Sequence, residues 1–196
     1  LSGLLLCLMT LFTLSASAQD YLCFTAKGAS KIELKLNAPT TYSTSTTIQY
    51  SKNKISWTSV IFKKGATSSQ STLTTGTISL NDGETIYFRS NSSSSAKNVS
   101  ISDQTYFQFV MSGSIAASGN VMSLVSGNCS ETQIPCAYCF YRLFYNCKSL
   151  TSAPELPATT LKHYCYDFMF YGCTSLTTAP ELPARDVQGY CYASMF

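Results

Sequence analysis

The stretch Cys147-Lys-Ser-Leu150-Thr-Ser-Ala-Pro154-Glu-Leu156-Pro-Ala158 returns as Cys173-Thr-Ser-Leu176-Thr-Thr-Ala-Pro180-Glu-Leu182-Pro-Ala184. Tyr164-Cys165-Tyr166 returns as Tyr190-Cys191-Tyr192, and Met169-Phe170 as Met195-Phe196. The spacing is 26 residues throughout, and 15 of the 24 comparable positions are identical. No other feature of the chain restricts its fold as much. A unit this short cannot bury its own apolar face, so equivalent residues must stack and the stack becomes the core.

The same frame reaches upstream. Ser123-Leu124, Tyr138-Cys139-Phe140 and Leu143-Phe144 fill the matching slots, without the Ala-Pro-Glu-Leu-Pro-Ala segment. Residues 121–146 therefore read as a degenerate capping unit, 147–172 as a full repeat and 173–196 as an incomplete one, with further units expected after it. A period in the twenties fits a leucine-rich-repeat coil, one short strand plus a helical or 3-10 turn. The strands are expected at 150–156 and 176–182, kept short by their prolines. The helical turn is expected over 161–171, where Leu161, Tyr164/Cys165 and Phe168/Met169 recur at helix spacing. Leu150, Leu156, Leu161, Cys165, Met169, Phe170 and Cys173 should point inward, and Leu176 with them.

Residues 19–120 have a different character. They are rich in Ser, Thr, Asn and β-branched residues, and their 9 basic and 5 acidic side chains give +4. Residues 121–196 carry 4 and 5, or −1, and most of the Cys and Tyr. This shift marks a domain boundary. Lys31–Leu36 alternates polar and apolar with period two, the pattern of a half-buried strand. Further strands are expected at 47–50, 55–60, 77–80, 85–89, 106–110 and 120–124, with a turn at Asn81-Asp82-Gly83. The fold class is thus mainly β with a C-terminal α/β solenoid: an antiparallel β-sandwich over 19–120, then the first coils of a leucine-rich repeat array.

The chain opens with an apolar run from Leu4 to Leu14 that ends in Ala16-Ser17-Ala18. That run has the length of a signal-peptide core, is too short to span a bilayer, and closes on the small-x-small pattern of a cleavage site. Residues 1–18 are expected to be removed, leaving a mature chain from Gln19 with no membrane span. Only 12% of residues are charged, too few for the dense basic face that nucleic acid requires. A single histidine, His163, disfavours Ser-His-Asp chemistry and a His-rich metal site. Cys136-x-x-Cys139 lacks a second matched pair, so no metal is expected there. Cys139, Cys165 and Cys191 share one repeat slot, and Cys147 and Cys173 another, which favours buried thiols over disulfides. In such a slot Cys→Ala should be milder than Cys→Ser, which introduces a hydroxyl in need of a partner. No cofactor is expected.

The run Met169-Phe170-Tyr171-Gly172-Cys173-Thr174-Ser175-Leu176, followed by Ala179-Pro180-Glu181-Leu182-Pro183-Ala184, resembles the BspA-like leucine-rich repeat surface proteins of Bacteroides-type bacteria. Gly119-Asn120-Val121-Met122-Ser123-Leu124 is similar to the stretch that precedes the repeats in many of them, so the chain looks like an N-terminal fragment of one. The Cys-rich entry at Cys129, Cys136 and Cys139 departs from the family pattern. The resemblance implies a secreted or cell-surface, outer-membrane-associated protein that adheres to extracellular proteins or glycans of host matrix or other cells. It carries over no catalytic residue.

Trp57 reads as core, with a ligand-stacking platform as the alternative. Tyr138, Tyr141, Tyr145, Tyr164, Tyr166, Tyr171, Tyr190 and Tyr192 either form a binding surface or pack between coils. Glu155 and Glu181 read as a solvated edge rather than a catalytic pair. The expected function is therefore a non-catalytic binding or adhesion module. The alternatives are a structural envelope spacer without a specific ligand and the non-catalytic part of a larger secreted enzyme.

Overall fold

The computed structural model describes residues 20–38, 45–65, 73–91, 102–127 and 129–196. The expected signal peptide, 1–18, lies outside them. The described chain is mainly β. Nine strands appear in order: β1 Leu22–Ala26, β2 Ser30–Asn37, β3 Thr46–Ser51, β4 Thr58–Phe62, β5 Ile78–Leu80, β6 Thr85–Ser90, β7 Tyr106–Ser112, β8 Ile115–Ser118 and β9 Leu150–Ser152. They form a six-stranded sheet, β4-β3-β6-β1-β8-β9, and a three-stranded sheet, β5-β2-β7. All pairings are antiparallel except β8 with β9, which is parallel.

Alternation dictates which face is buried. In β2, Ile32, Leu34 and Leu36 are buried while Lys31 is exposed. In β6, Ile86 and Phe88 face inward and Tyr87 and Arg89 outward. The inner faces meet through aromatic rings: Phe24 of β1 lies 4.7 Å from Phe109 of β7, and Phe62 of β4 lies 5.0 Å from Phe107 of β7. The strand expected at 55–60 begins later, at Thr58, because Asn53 Oδ1 accepts the N–H groups of Ile55 and Ser56 and holds them in a turn. At 120–124 the structure has a 3-10 turn, Val121–Leu124, instead of a strand. Asn120 caps it by accepting the Met122 N–H, an alternative to strand pairing that Asn readily offers.

In the C-terminal part, residues 26 apart lie one above another. Phe144 stacks on Phe170 at 5.4 Å and Phe170 on Phe196 at 5.7 Å. Tyr138, Tyr164 and Tyr190 form a second column at 4.8 and 4.9 Å, with planes within 1°. The helical turn expected over 161–171 is absent, and the described residues contain no α-helix. Alternate N–H groups donate upward instead, Tyr164 to Gly189 O, Tyr166 to Cys191 O, Phe168 to Ala193 O and Phe170 to Met195 O. Those between them close four-residue turns, such as Asp167 N–H to Tyr164 O. An α-helix would need every one of these donors for itself. The path turns through a left-handed residue every fourth position: Tyr138, Arg142 and Asn146, then Tyr164, Phe168 and Gly172.

Leu150, Leu156, Leu161, Cys165, Met169, Phe170 and Cys173 are all buried, as their register requires. Leu176 is only partly buried, and no strand forms over 176–182. Pro180 removes one N–H donor from that segment, and its first residues, 26 after β9, lack the strand partner that β8 gives β9.

The compositional boundary at 120/121 is spanned by one continuous core. Beyond the β8–β9 pairing, buried Ser123 accepts the Leu22 N–H at 3.0 Å and donates to Phe88 O at 2.9 Å. Phe109 occupies the position of a missing lower unit. Its ring stacks 5.5 Å beneath Phe144, and its N–H donates to Leu143 O, as Phe144 N–H donates to Met169 O one level up. Cys147 Sγ donates to Phe109 O, as Cys173 Sγ donates to Phe144 O, each at 3.0 Å.

Candidate binding surface

The tyrosine-rich stretch divides by burial. Tyr141 and Tyr166 are in the core, and burial pushes the Tyr166 hydroxyl well above its ordinary pKa. Tyr138, Tyr145, Tyr164, Tyr171, Tyr190 and Tyr192 reach the surface, Tyr190 being 65% and Tyr171 43% exposed. The column Tyr138–Tyr164–Tyr190 is held by the backbone ladder beneath it: Tyr138 N–H donates to His163 O and Tyr164 N–H to Gly189 O. Each ring is fixed by its neighbours, so the column offers contact area with little rotamer freedom left to lose.

Arg142 is a member of this surface that the sequence did not reveal. Its guanidinium lies 5.0 Å from the Tyr141 and Tyr145 rings, 5.2 Å from Phe168 and 5.8 Å from Tyr106. Its one signal is its place in the 26-residue frame, where the next unit has Phe168. Asp167 is close by and 7% exposed. Burial raises its pKa, against the pull of Arg142 and of the Phe168 N–H. Arg142 Nε and Asp167 Oδ1 are buried with no hydrogen bond.

Glu155 and Glu181 are exposed, and they border a groove of about 520 Å³ between the two Ala-Pro-Glu-Leu-Pro-Ala segments. Pro154, Pro157, Pro180 and Pro183 form its walls. The groove exists because the lower segment is tied downward, through Glu155 N–H to Gly119 O and Val121 N–H to Glu155 O, while the upper segment makes no bridge to it.

None of the eight described cysteines is in a disulfide. Burial pushes the Cys139, Cys147 and Cys165 thiols far up and the Cys173 thiol up to about 11. Such thiols stay protonated near neutral pH and act as weak donors. Cys139 is buried beside Cys136, and no group of three or more metal-ligating side chains occurs among the described residues. His163 is exposed beside the Tyr164 ring. No described helix is long and apolar enough to cross a membrane.

Trp57, expected in the core, is instead on the solvent side of the six-stranded sheet. It lies over the Arg89 guanidinium at 3.9 Å, with Tyr21 edge-on at 5.1 Å. Its place in the hairpin between β3 and β4, ahead of the first residue of β4, takes it out of the alternating inner row.

Comparison with known proteins found no matching family model, no matching curated protein and no matching solved structure.

Proposed function

We propose that this chain is a non-catalytic binding module of an exported, BspA-like leucine-rich-repeat surface protein. In this reading residues 1–18 direct export, the two sheets form a sandwich-like base, and residues 121–196 are the first coils of a solenoid. The 26-residue stacking and the Met-Phe-x-Gly-Cys motif support the repeat assignment. The observation that carries the binding assignment is the parallel tyrosine column, partly exposed and held rigid from below. Tyrosine surfaces of this kind supply affinity through ring area and specificity through the hydroxyl rim.

The test is surface binding of the full chain to arrayed glycans and to immobilised collagen and fibronectin. Tyr190→Ser alters an exposed ring and leaves the core intact. It is expected to weaken the dominant interaction by about tenfold with an unchanged melting temperature. Binding that ignores both Tyr190→Ser and Tyr164→Ala would place the ligand elsewhere and overturn the assignment of this column.

A further inference from the structure

We propose that the outer face of the six-stranded sheet is a second binding site, for an acidic polysaccharide, centred on Arg89 and Trp57. The proposal names a ligand class within the binding reading above and rests on it, but it concerns a different face.

The site is built by strand register. Ser59 of β4 is opposite Gln49 of β3, and Gln49 is opposite Arg89 of β6. Leu22 is opposite Phe88, which brings Tyr21 beside Arg89. The row is hydrogen-bonded from end to end. Gln49 Nε2 donates to Ser59 Oγ at 3.0 Å, Arg89 Nε to Gln49 Oε1 at 2.9 Å, and Arg89 Nη1 to Tyr21 Oη at 3.1 Å. Trp57 covers the guanidinium and is itself pinned by Nε1–H donating to Lys54 O at 3.2 Å. The guanidinium is thus clamped in one plane. These two bonds use two of its five N–H groups and leave the outer edge of the fork for a planar anion.

Charge selects the ligand. The ion pairs among the described residues are Glu33–Lys35 and Lys52–Glu84. Neither involves Arg89 or Lys54, whose Nζ sits over the Tyr87 ring at 4.6 Å. Asp20 is an acid close to this face, acting on the Cys129 thiol together with Arg89 and Lys54. Two cations held on aromatic rings fit spaced single anions. They fall far short of the continuous cationic track a nucleic acid needs. The surround offers hydroxyls, with Ser56 and Ser59 exposed. Aromatic faces, hydroxyl donors and isolated cations together match a sugar chain bearing carboxylate or sulfate groups.

The experiment is calorimetry on the full chain with polygalacturonate and heparin as carboxylate and sulfate probes, and dextran as the neutral control. Binding to one or both anionic polymers and not to dextran is expected, and the stronger of the two identifies the anion. Arg89→Gln should weaken it by about tenfold and Lys54→Gln by about threefold, on the scale of single charge-assisted contacts. Trp57→Ala should match Arg89→Gln, while Trp57→Phe keeps a stacking ring and most of the affinity, separating platform from hairpin stability. Lys31→Gln, on the other sheet, should leave binding unchanged. Absence of binding, equal binding of dextran, or an equal loss with Lys31→Gln would overturn the site. Tyr190→Ser should not affect these polymers, so this proposal and the tyrosine-column reading can fail separately.

Discussion

Cys147 and Cys173 show how a repeat slot acquires a chemical requirement. Each thiol is buried, remains S–H near neutral pH, and donates to a carbonyl one level below, Cys147 to Phe109 and Cys173 to Phe144, at 3.0 Å. As a purely apolar slot it would tolerate Ala better than Ser. The bond reverses that order. Serine carries an O–H that reaches toward the same oxygen, whereas alanine removes the side-chain donor and leaves a small void; the loss is sharper at Cys147, because Phe144 O, the acceptor of Cys173, also takes the Cys147 N–H. Cys147→Ala is therefore expected to cost about 1–2 kcal/mol, and Cys147→Ser less. Urea melts of the two variants decide the matter. Equal losses, or a larger loss for serine, would show that the thiol acts only as volume.

The corner of the repeating unit brings the backbone of one unit against a side chain of the unit below. Gly172 has φ +74°, and a Cβ there would lie 2.2 Å from Asn146 Oδ1 of the unit below. Gly83 has the same φ, and nothing lies within 4 Å of its would-be Cβ. Gly83→Ala thus measures backbone strain alone, about 1 kcal/mol, while Gly172→Ala also displaces the exposed Asn146 side chain and should cost somewhat more, about 1–2 kcal/mol. Equal melting of the two variants would mean that Asn146 moves aside freely. This corner also explains what the sequence hid. Leu161, Cys165 and Met169 recur every fourth residue, which reads as a helix face, yet the cause is a left-handed corner every fourth residue. Residue periodicity cannot distinguish a spacing of 4.0 from 3.6 over three turns, and left-handed Tyr and Phe are conformations no local propensity announces. Strands β2, β3, β5, β6 and β7 were legible because their buried faces alternate. β1 and β8 were not, since Leu22–Ala26 and Ile115–Ser118 are short and carry Cys, Ala and Ser where polar alternation would mark an outer face. Of the candidate surfaces, the tyrosine column followed from the period. The Arg142 cage and the Arg89–Trp57 stack did not, because both are assembled from segments far apart in the chain.

At the scale of the whole molecule, the two compositional halves share one continuous core. A stack of short units has an open lower face, and here the sheets close it: Phe109 supplies the ring, the donor and the acceptor that a lower unit would supply. β9 joins the edge of the six-stranded sheet, and Ser123 ties β1 and β6 to the first turn of the C-terminal part. Such coupling makes a local defect global. Phe109→Ala removes a fully buried ring shared by both sheets and the stack, and should cost about 3–5 kcal/mol, a large part of the stability of a marginal domain. Ser123→Ala leaves Leu22 N–H and Phe88 O without partners in the core and should cost about 1–3 kcal/mol. The distinctive expectation is the form of the transition. Trp57 fluorescence reports the sheets, and near-ultraviolet dichroism is dominated by the stacked tyrosines. The two signals should fall together in the parent chain and, at a lower temperature, in both variants. If either variant splits them, so that the tyrosine signal melts while Trp57 still reports a folded sheet, then the sheets stand alone and Phe109 is a contact between two domains rather than the floor of one.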